Sequence, residues 1–168
     1  MHEHEAFGPK KAKVSIVVVS DKVFKGLRKD ESGLYARERV SKEHEVVYFS
    51  VIPNSQEDIL NELQKAKETG SDVLIFIGGS GLGPNDLTVD VVSKYGKEVP
   101  GFGEIFRLET YRKRGPIAIL TRAGMWIVDS TIVVVTPGSK DAVSTALDVL
   151  LPVLRHLIAE VRGLRHNK

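Results

Sequence analysis

Four glycines crowd the stretch Gly78-Gly79-Ser80-Gly81-Leu82-Gly83, and Pro84-Asn85-Asp86-Leu87-Thr88 follows at once. Such a run is costly, because glycine loses more backbone freedom on folding than any other residue. Either something approaches this backbone closely or the chain turns sharply here. A glycine-rich turn between a strand and a helix offers N–H groups to phosphate. The spacing is not a Walker A loop, since no Lys-Ser/Thr pair follows the last glycine, and it is not GxGxxG. Spacing alone leaves an anion loop and a sharp turn both open. Asp86 has two readings as well. It could cap a helix beginning near 87, or it could hold Mg²⁺ against a nucleotide phosphate, because Mg²⁺ typically takes one or two carboxylates plus phosphate oxygens and water. Two more polar turns carry similar residues: 20–33, with Asp21, Asp30, Ser32 and Gly33, and 136–140, with Pro137, Gly138, Ser139 and Lys140.

These turns do chemistry together only if one scaffold brings them together. VSIVVVS (14–20) is β-branched with hardly a polar break, the pattern of a strand buried on both faces. EVVYFSVI (45–52), DVLIFI (72–77), PIAIL (116–120) and TIVVVTPG (131–138) read as further strands. A helix is expected over 31–43, carrying Leu34, Tyr35 and Val40. SQEDILNELQKAKETG (55–70) is amphipathic, with Ile59, Leu60, Leu63 and Ala66 on one face. Asn54 or Ser55 can cap it, and a cap is the ordinary role for Asn54. Helices are also expected over 87–95, over 101–115 with Phe102, Ile105, Phe106 and Leu108 inward, and over 141–163 with a kink or break at Pro152. Met125 and Trp126 fall between two expected strands and could line a pocket or an oligomer contact. Strands alternating with helices predict a three-layer α/β/α sandwich with a mostly parallel sheet. In such a sheet the three turns converge beyond the strands' carboxyl ends, where ligands bind. Residues 13–168 are expected to form the single domain and 1–12 a flexible tail, with His2, Glu3 and His4 in that tail.

Composition excludes several classes. The 168 residues are 42% hydrophobic and 27% charged, with a formal net charge of +2. That is not the charge of a dedicated nucleic-acid binder. The basic clusters (Lys10, Lys11 and Lys13; Lys25, Arg28 and Lys29; Arg112, Lys113 and Arg114) read as solvated surface, although one lying near the glycine loop would help hold an anion. No apolar run approaches the ~20 residues of a membrane span, and the N-terminal stretch lacks a signal-like apolar core, so no membrane partner and a cytoplasmic location are expected. With no cysteine, disulfides and thiolate chemistry are excluded. Scarce Gln and Asn beside many Glu, Lys and Arg lean towards a thermophilic source.

The ordered set of motifs resembles the MoaB/Mog family of molybdenum cofactor biosynthesis, whose molybdopterin-binding domain also occurs in gephyrin. The matching residues are Ser20-Asp21, Asp30-Glu31-Ser32-Gly33, Gly78-Gly79-Ser80-Gly81, Asp86-Leu87-Thr88, Pro100 to Glu104, Thr121-Arg122-Ala123 and Pro137-Gly138-Ser139. They run in order from about 13 to 162, and the PGFGEIFR stretch is closer to the MoaB branch.

The resemblance implies an adenylyltransferase that uses ATP and Mg²⁺ to adenylylate the terminal phosphate of molybdopterin, releasing pyrophosphate. A downstream metal-inserting protein then uses the product, and the family assembles as homotrimers or homohexamers. By the same resemblance, Asp86 is catalytic and the Mg²⁺ ligand. Gly78, Gly79, Ser80, Gly81, Thr88, Pro137, Gly138 and Ser139 are implied to bind phosphate or nucleotide. Ser20, Asp21, Asp30, Ser32, Gly33 and Arg122 are implied to face the pterin, although Arg122 could equally tie down a loop. One departure stands out. Active Mog-type members have Ile-Pro-Asp where this chain has Ile52-Pro53-Asn54, so Asn54 occupies a catalytic position without the charge. Asn85 also stands where a basic residue is common. The alternative is therefore a non-catalytic molybdopterin-binding paralogue acting as a carrier or assembly partner.

Overall fold

A computed structural model of the chain describes residues 8–164. The chain order is β1 (Lys13–Val19), α1 (Asp21–Phe24), α2 (Glu31–Ser41), β2 (Glu45–Ile52), α3 (Gln56–Glu68), β3 (Val73–Ile77), α4 (Thr88–Val92), β4 (Lys97–Glu98) and α5 (Pro100–Arg114). A 3₁₀ segment (Gly115–Leu120), β5 (Gly124–Val128), β6 (Thr131–Thr136), α6 (Lys140–Leu150), a 3₁₀ turn (Leu151–Val153) and α7 (Leu154–Val161) complete it. The six strands form one mixed sheet in the order β2-β1-β3-β6-β5-β4. The first four strands in that order are parallel, and β5 and β4 are antiparallel additions.

The uniformly apolar strands are explained by helices on both faces. Val14, Ile16 and Val18 of β1, with Ile75 and Val134 beside them, pack against α2, α5, α6 and α7. Val17 and Val19, with Phe76 and Val135, pack against α3 and α4. The chain leaves β1 for β2 on one side and returns to β3 on the other. The strand order therefore reverses between β1 and β3, which opens a crevice at their carboxyl ends. Val18 pairs with Ile77, and Ile77 with Thr136, so the turns after β1, β3 and β6 emerge side by side.

Several expectations are corrected. Residues 116–120 form a 3₁₀ segment instead of a strand. Gly115 sits at φ 75°, Pro116 lacks an N–H, and Ile117, Ile119 and Leu120 face outward. The strand position there belongs to β5, joined to β6 through Asp129 at φ 54°. Met125 and Trp126 are therefore core residues on opposite faces of β5, 2% and 5% exposed. In α5, Phe102 and Phe106 point inward as expected, but Ile105 and Leu108 are exposed. The inward face is fixed by Gly103, where an added Cβ would lie 3.0 Å from the Ala123 carbonyl, and by Arg107, which donates to the same oxygen at 2.8 Å.

Residues 8–12 are not a loose tail. Arg155 Nε donates to the Pro9 carbonyl at 2.9 Å, Ala12 is fully buried, and the Ala12 amide donates to His44 Nδ1 at 3.1 Å. The expected tail over 1–7, including His2, Glu3 and His4, lies outside the described residues. Finally, the 22-residue span Lys140–Val161 is long and apolar enough, by length and composition, to cross a membrane. Its apolarity has a different use. The 3₁₀ turn at Pro152 interrupts it, and Val143, Leu147, Leu150, Leu154 and Ile158 face the core.

Candidate functional site

The glycine loop is shaped by contacts beneath it. Gly78 continues the ladder by donating its amide to the Thr136 carbonyl at 2.8 Å, with φ at 118°. A Cβ there would stand 2.2 Å from the Val19 carbonyl oxygen, so β1 and β3 close on each other only because Gly78 has none. Gly79, at φ 75°, has no room either, since its Cβ would meet Thr88 Oγ1 at 2.1 Å. Thr88 is fully buried and donates its hydroxyl to the Gly78 carbonyl at 2.9 Å, while its amide donates to the Gly79 carbonyl at 3.2 Å. Among the described residues, no acceptor takes the amides of Gly79, Ser80 or Gly81.

Arg122 fastens the loop from the β5 side. Its amide donates to the Ser80 carbonyl at 2.8 Å, Nε to the Gly81 carbonyl at 2.9 Å and Nη2 to the Asp86 carbonyl at 2.9 Å. The rest of the guanidinium forks onto Asp90 at 2.8 and 3.2 Å. That hydrogen bond holds the Asp90 carboxyl below the usual carboxylate range. Ser80 is buried and its hydroxyl lies 3.4 Å from Thr121 Oγ1.

Asp86 does not cap α4. The N-cap is Leu87, without a side-chain bond. One oxygen of Asp86 accepts the Gly83 amide at 2.9 Å, and the carboxylate is seated where Cβ atoms on Gly81 or Gly83 would come within 2.7 and 3.0 Å of it. Asn54 is not a cap either, because Ser55 caps α3 by accepting the Asp58 amide at 3.3 Å. The Asn54 amide instead donates to Asp21 Oδ1 at 2.9 Å, and its own Oδ1 is buried without a partner. Asp30 accepts the Gly33 amide through Oδ1 at 2.8 Å, and its Oδ2 is likewise buried and unpartnered.

Two cavities result. The larger, of about 750 Å³, receives Ser20, Asp21, Asp30, Ser32 and Asn54 from the β1 and β2 ends. Gly78, Gly79 and Asp86 wall it from the β3 end, and Gly138 and Ser139 from the β6 end. The smaller, of about 340 Å³, lies beyond the loop and receives Ser80, Gly81 and Pro137. Phe106, Ile117, Ala118 and Leu120 give it apolar walls. Gly79, Asp86, Gly138 and Ser139 border both cavities.

Not every predicted site residue faces a cavity. Thr88, Gly33 and Arg122 border neither. Thr88 and Arg122 both bond the glycine loop, and for Arg122 this matches the second of its two expected uses, tying down a loop. Gly33 lies under Asp30, where a Cβ would stand 2.3 Å from Oδ2. Ser20 and Ser139 border the larger cavity but also cap helices, accepting the amides of Val23 at 3.2 Å and Ala142 at 3.1 Å. Ser32 donates its hydroxyl to the Gly138 carbonyl at 2.6 Å, tying the first turn to the last.

Sequence reasoning missed the apolar cavity altogether, because its walls lie on a segment read as a strand. It also left Lys22 unassigned and read Arg28 and Lys29 as solvated surface, yet all three border the larger cavity.

The chain resembles known proteins over nearly its whole length. The family model described as "Probable molybdopterin binding domain" matches residues 15–156. A protein of Pyrococcus furiosus named molybdopterin adenylyltransferase is 35% identical over 166 residues, covering 96% of this chain and 98% of that one. Molybdenum cofactor biosynthesis protein B of Bacillus subtilis is 28% identical, covering 96% of this chain and 97% of that one. The crystal structure of the tungsten cofactor synthesizing protein MoaB from Pyrococcus furiosus superposes with a TM-score of 0.88 at 34% identity, covering 92% of this chain and 99% of that one. With its fold, its ordered motifs and these matches in agreement, the chain belongs to the MoaB/Mog family of molybdopterin-binding domains of molybdenum cofactor biosynthesis.

Proposed function

We propose that this chain binds molybdopterin and transfers AMP to its terminal phosphate from Mg-ATP, releasing pyrophosphate. The observation that carries this reading is the pair of unlike cavities, one polar and one apolar-walled, meeting at Gly79 and Asp86. A reaction between two phosphate-bearing heterocycles needs two such volumes with a shared phosphate locus between them. The homologue named molybdopterin adenylyltransferase supports the same reaction.

In this reading a terminal phosphate oxygen of the pterin attacks the α-phosphorus of ATP. A new P–O bond forms, the bond from the α-phosphorus to the bridging oxygen breaks, and the electron pair leaves with pyrophosphate. No proton transfer is required, because the nucleophile is already an anion. The obstacle is repulsion between two anions, so positioning and charge neutralisation supply the catalysis. The free amides of Gly79, Ser80 and Gly81 receive phosphate oxygens. Gly138 and the Ser139 end of α6 face the same locus.

The oxygen donors here suit a shared Mg²⁺, which would neutralise phosphate charge when bound. The second Asp86 oxygen and the orphaned Asn54 Oδ1 would hold it, together with phosphate oxygens of the substrates. Asn54 supplies a neutral ligand where a carboxylate would add charge.

The exposed residues Ile105, Leu108, Tyr111 and Ile119 of α5 and its 3₁₀ extension form the face covered by a second copy in a homotrimer or homohexamer. The adenylylated pterin then passes to a metal-inserting protein.

The test is to incubate the pure chain with molybdopterin, ATP and Mg²⁺ and follow adenylylated pterin and pyrophosphate. Wild type is expected to form both. Asp86→Asn is expected to form neither while still binding pterin. Pterin binding without product from wild type would instead make the chain a non-catalytic binder, and full turnover by Asp86→Asn would remove Asp86 from its role.

A further inference from the structure

We propose that Lys22, Arg28 and Lys29 form a polyphosphate subsite in the larger cavity that grips the β- and γ-phosphates of the nucleoside triphosphate and receives the pyrophosphate leaving group. The identity of those phosphates rests on the adenylyl-transfer reading above. The three cations sit on the segment joining β1 to α2 and border the cavity that Gly79 and Asp86 wall from the β3 end.

Most cations near the cavities already have work inside the protein. Arg122 is committed to Asp90 and the loop carbonyls, Arg114 pairs with Asp141, and the Lys140 ammonium stands 5.3 Å from the centre of the Tyr35 ring. By contrast, the side chains of Lys22, Arg28 and Lys29 make no ion pair or hydrogen bond with any other described residue.

The acids beside them are not ion-paired with them. Asp21 accepts the Asn54 amide, Asp30 accepts the Gly33 amide, and Glu31 is exposed at the cavity rim. Three cations thus border a cavity that also presents free backbone amides, and none of the carboxylates sharing it, Asp21, Asp30, Glu31 and Asp86, is ion-paired with them. A chain of adjacent phosphates is the ligand that satisfies all three at once.

The chemistry gives them a purpose beyond binding. As the bond between the α-phosphorus and the bridging oxygen breaks, negative charge accumulates on the departing pyrophosphate. Cations already in place stabilise that charge without reorganisation. They also distinguish a triphosphate, which reaches them, from a monophosphate, which has no β- or γ-phosphate to offer.

The subsite is tested by calorimetric titration of the full chain with inorganic tripolyphosphate, Mg-ATP and AMP, in wild type and in the K22Q/R28Q/K29Q variant. All three side chains are at the surface, and each exposed contact contributes a factor of a few. Their joint loss is therefore expected to weaken tripolyphosphate and Mg-ATP by roughly 10- to 100-fold, with a shallower dependence on salt. AMP binding is expected to stay unchanged. Equal losses for AMP and ATP, or no loss for either, would overturn the subsite. A variant that adenylylates pterin with the wild-type KM for ATP also sinks it, and leaves the adenylyl-transfer reading intact. Tripolyphosphate bound by wild type and lost by the variant, with no adenylylated pterin from either, sinks that reading and leaves the polyphosphate subsite standing.

Discussion

Gly79→Ala tests whether the phosphate loop is built the way its contacts imply. Two costs arise together. At φ 75° an alanine sits in the left-handed region, at a cost of about 1–2 kcal/mol. Its methyl would also lie 2.1 Å from Thr88 Oγ1 and 3.0 Å from Thr88 Cβ. Thr88 has no exposure through which to retreat, and its hydroxyl is bonded to the Gly78 carbonyl. Turning that hydroxyl away strands a buried acceptor, at about 1–3 kcal/mol. The total is roughly 2–5 kcal/mol. Most of the second cost should disappear in a Thr88→Ala background, which has already lost the hydroxyl and keeps only the closer-packed Cβ at 3.0 Å, leaving mainly about 1–2 kcal/mol of backbone strain. Urea unfolding of wild type, both single variants and the double variant, at one fixed protein concentration, gives the coupling directly. The expected coupling is about 1–3 kcal/mol. Additive losses, or a Gly79→Ala cost below about 0.5 kcal/mol, would show that Thr88 does not set the shape of this turn.

Three further outcomes are expected. Arg122→Lys keeps the charge but cannot fork onto Asp90 and the loop carbonyls, so kcat for pterin adenylylation should fall by roughly 10- to 100-fold while pterin affinity holds; the opposite split would return Arg122 to direct pterin contact. His44 has its pKa pushed down, first by burial and then by the Arg155 charge, with Glu43 opposing, and its Nδ1 accepts the Ala12 amide. The folded state therefore favours the neutral ring, so stability is full above the ordinary value of 6.5 and declines as pH falls below it. His44→Asn keeps an acceptor without titrating, so its loss of melting temperature between pH 7.5 and 5.5 should be smaller than that of wild type, and equal losses would sink the assignment. Ile119→Glu puts a charge on a side chain that is 77% exposed on the proposed assembly face. Sedimentation should find a trimer or hexamer for wild type and a smaller species for the variant, and identical species would place the contact elsewhere.

The parallel half of the molecule was legible because its residues obey one rule each. The β-branched runs of β1, β2, β3 and β6 were read within a residue or two of their ends, and Pro152 broke the last helix where its missing N–H required. The antiparallel half was not. Gly124-Met125-Trp126-Ile127-Val128 carries no strong turn signal before β6, and the apolar Ile117, Ile119 and Leu120 looked more strand-like than they are. Their exposure has no local sequence cause, since it depends on what covers α5. In the site, the three converging turns were legible from the sheet they follow. The division of labour within them was not, because Thr88, Ser32 and Arg122 have polar groups that suit a ligand as well as they suit the carbonyls they bond. Only three-dimensional neighbours decide between those uses.

The bond from Ser32 to the Gly138 carbonyl joins residues 106 positions apart. Together with the Gly78 amide on Thr136, it sets a limit on when the site can exist during synthesis. A nascent chain that has emerged only to residue 130 already holds β1, β3 and the whole glycine loop. It has no β6 to accept the Gly78 amide and no final turn for Ser32 to grasp. The glycine-loop crevice is therefore completed only after β6 and the turn that follows it have been made and fold back beside β3, and a growing polypeptide that stops short of them has no finished pocket.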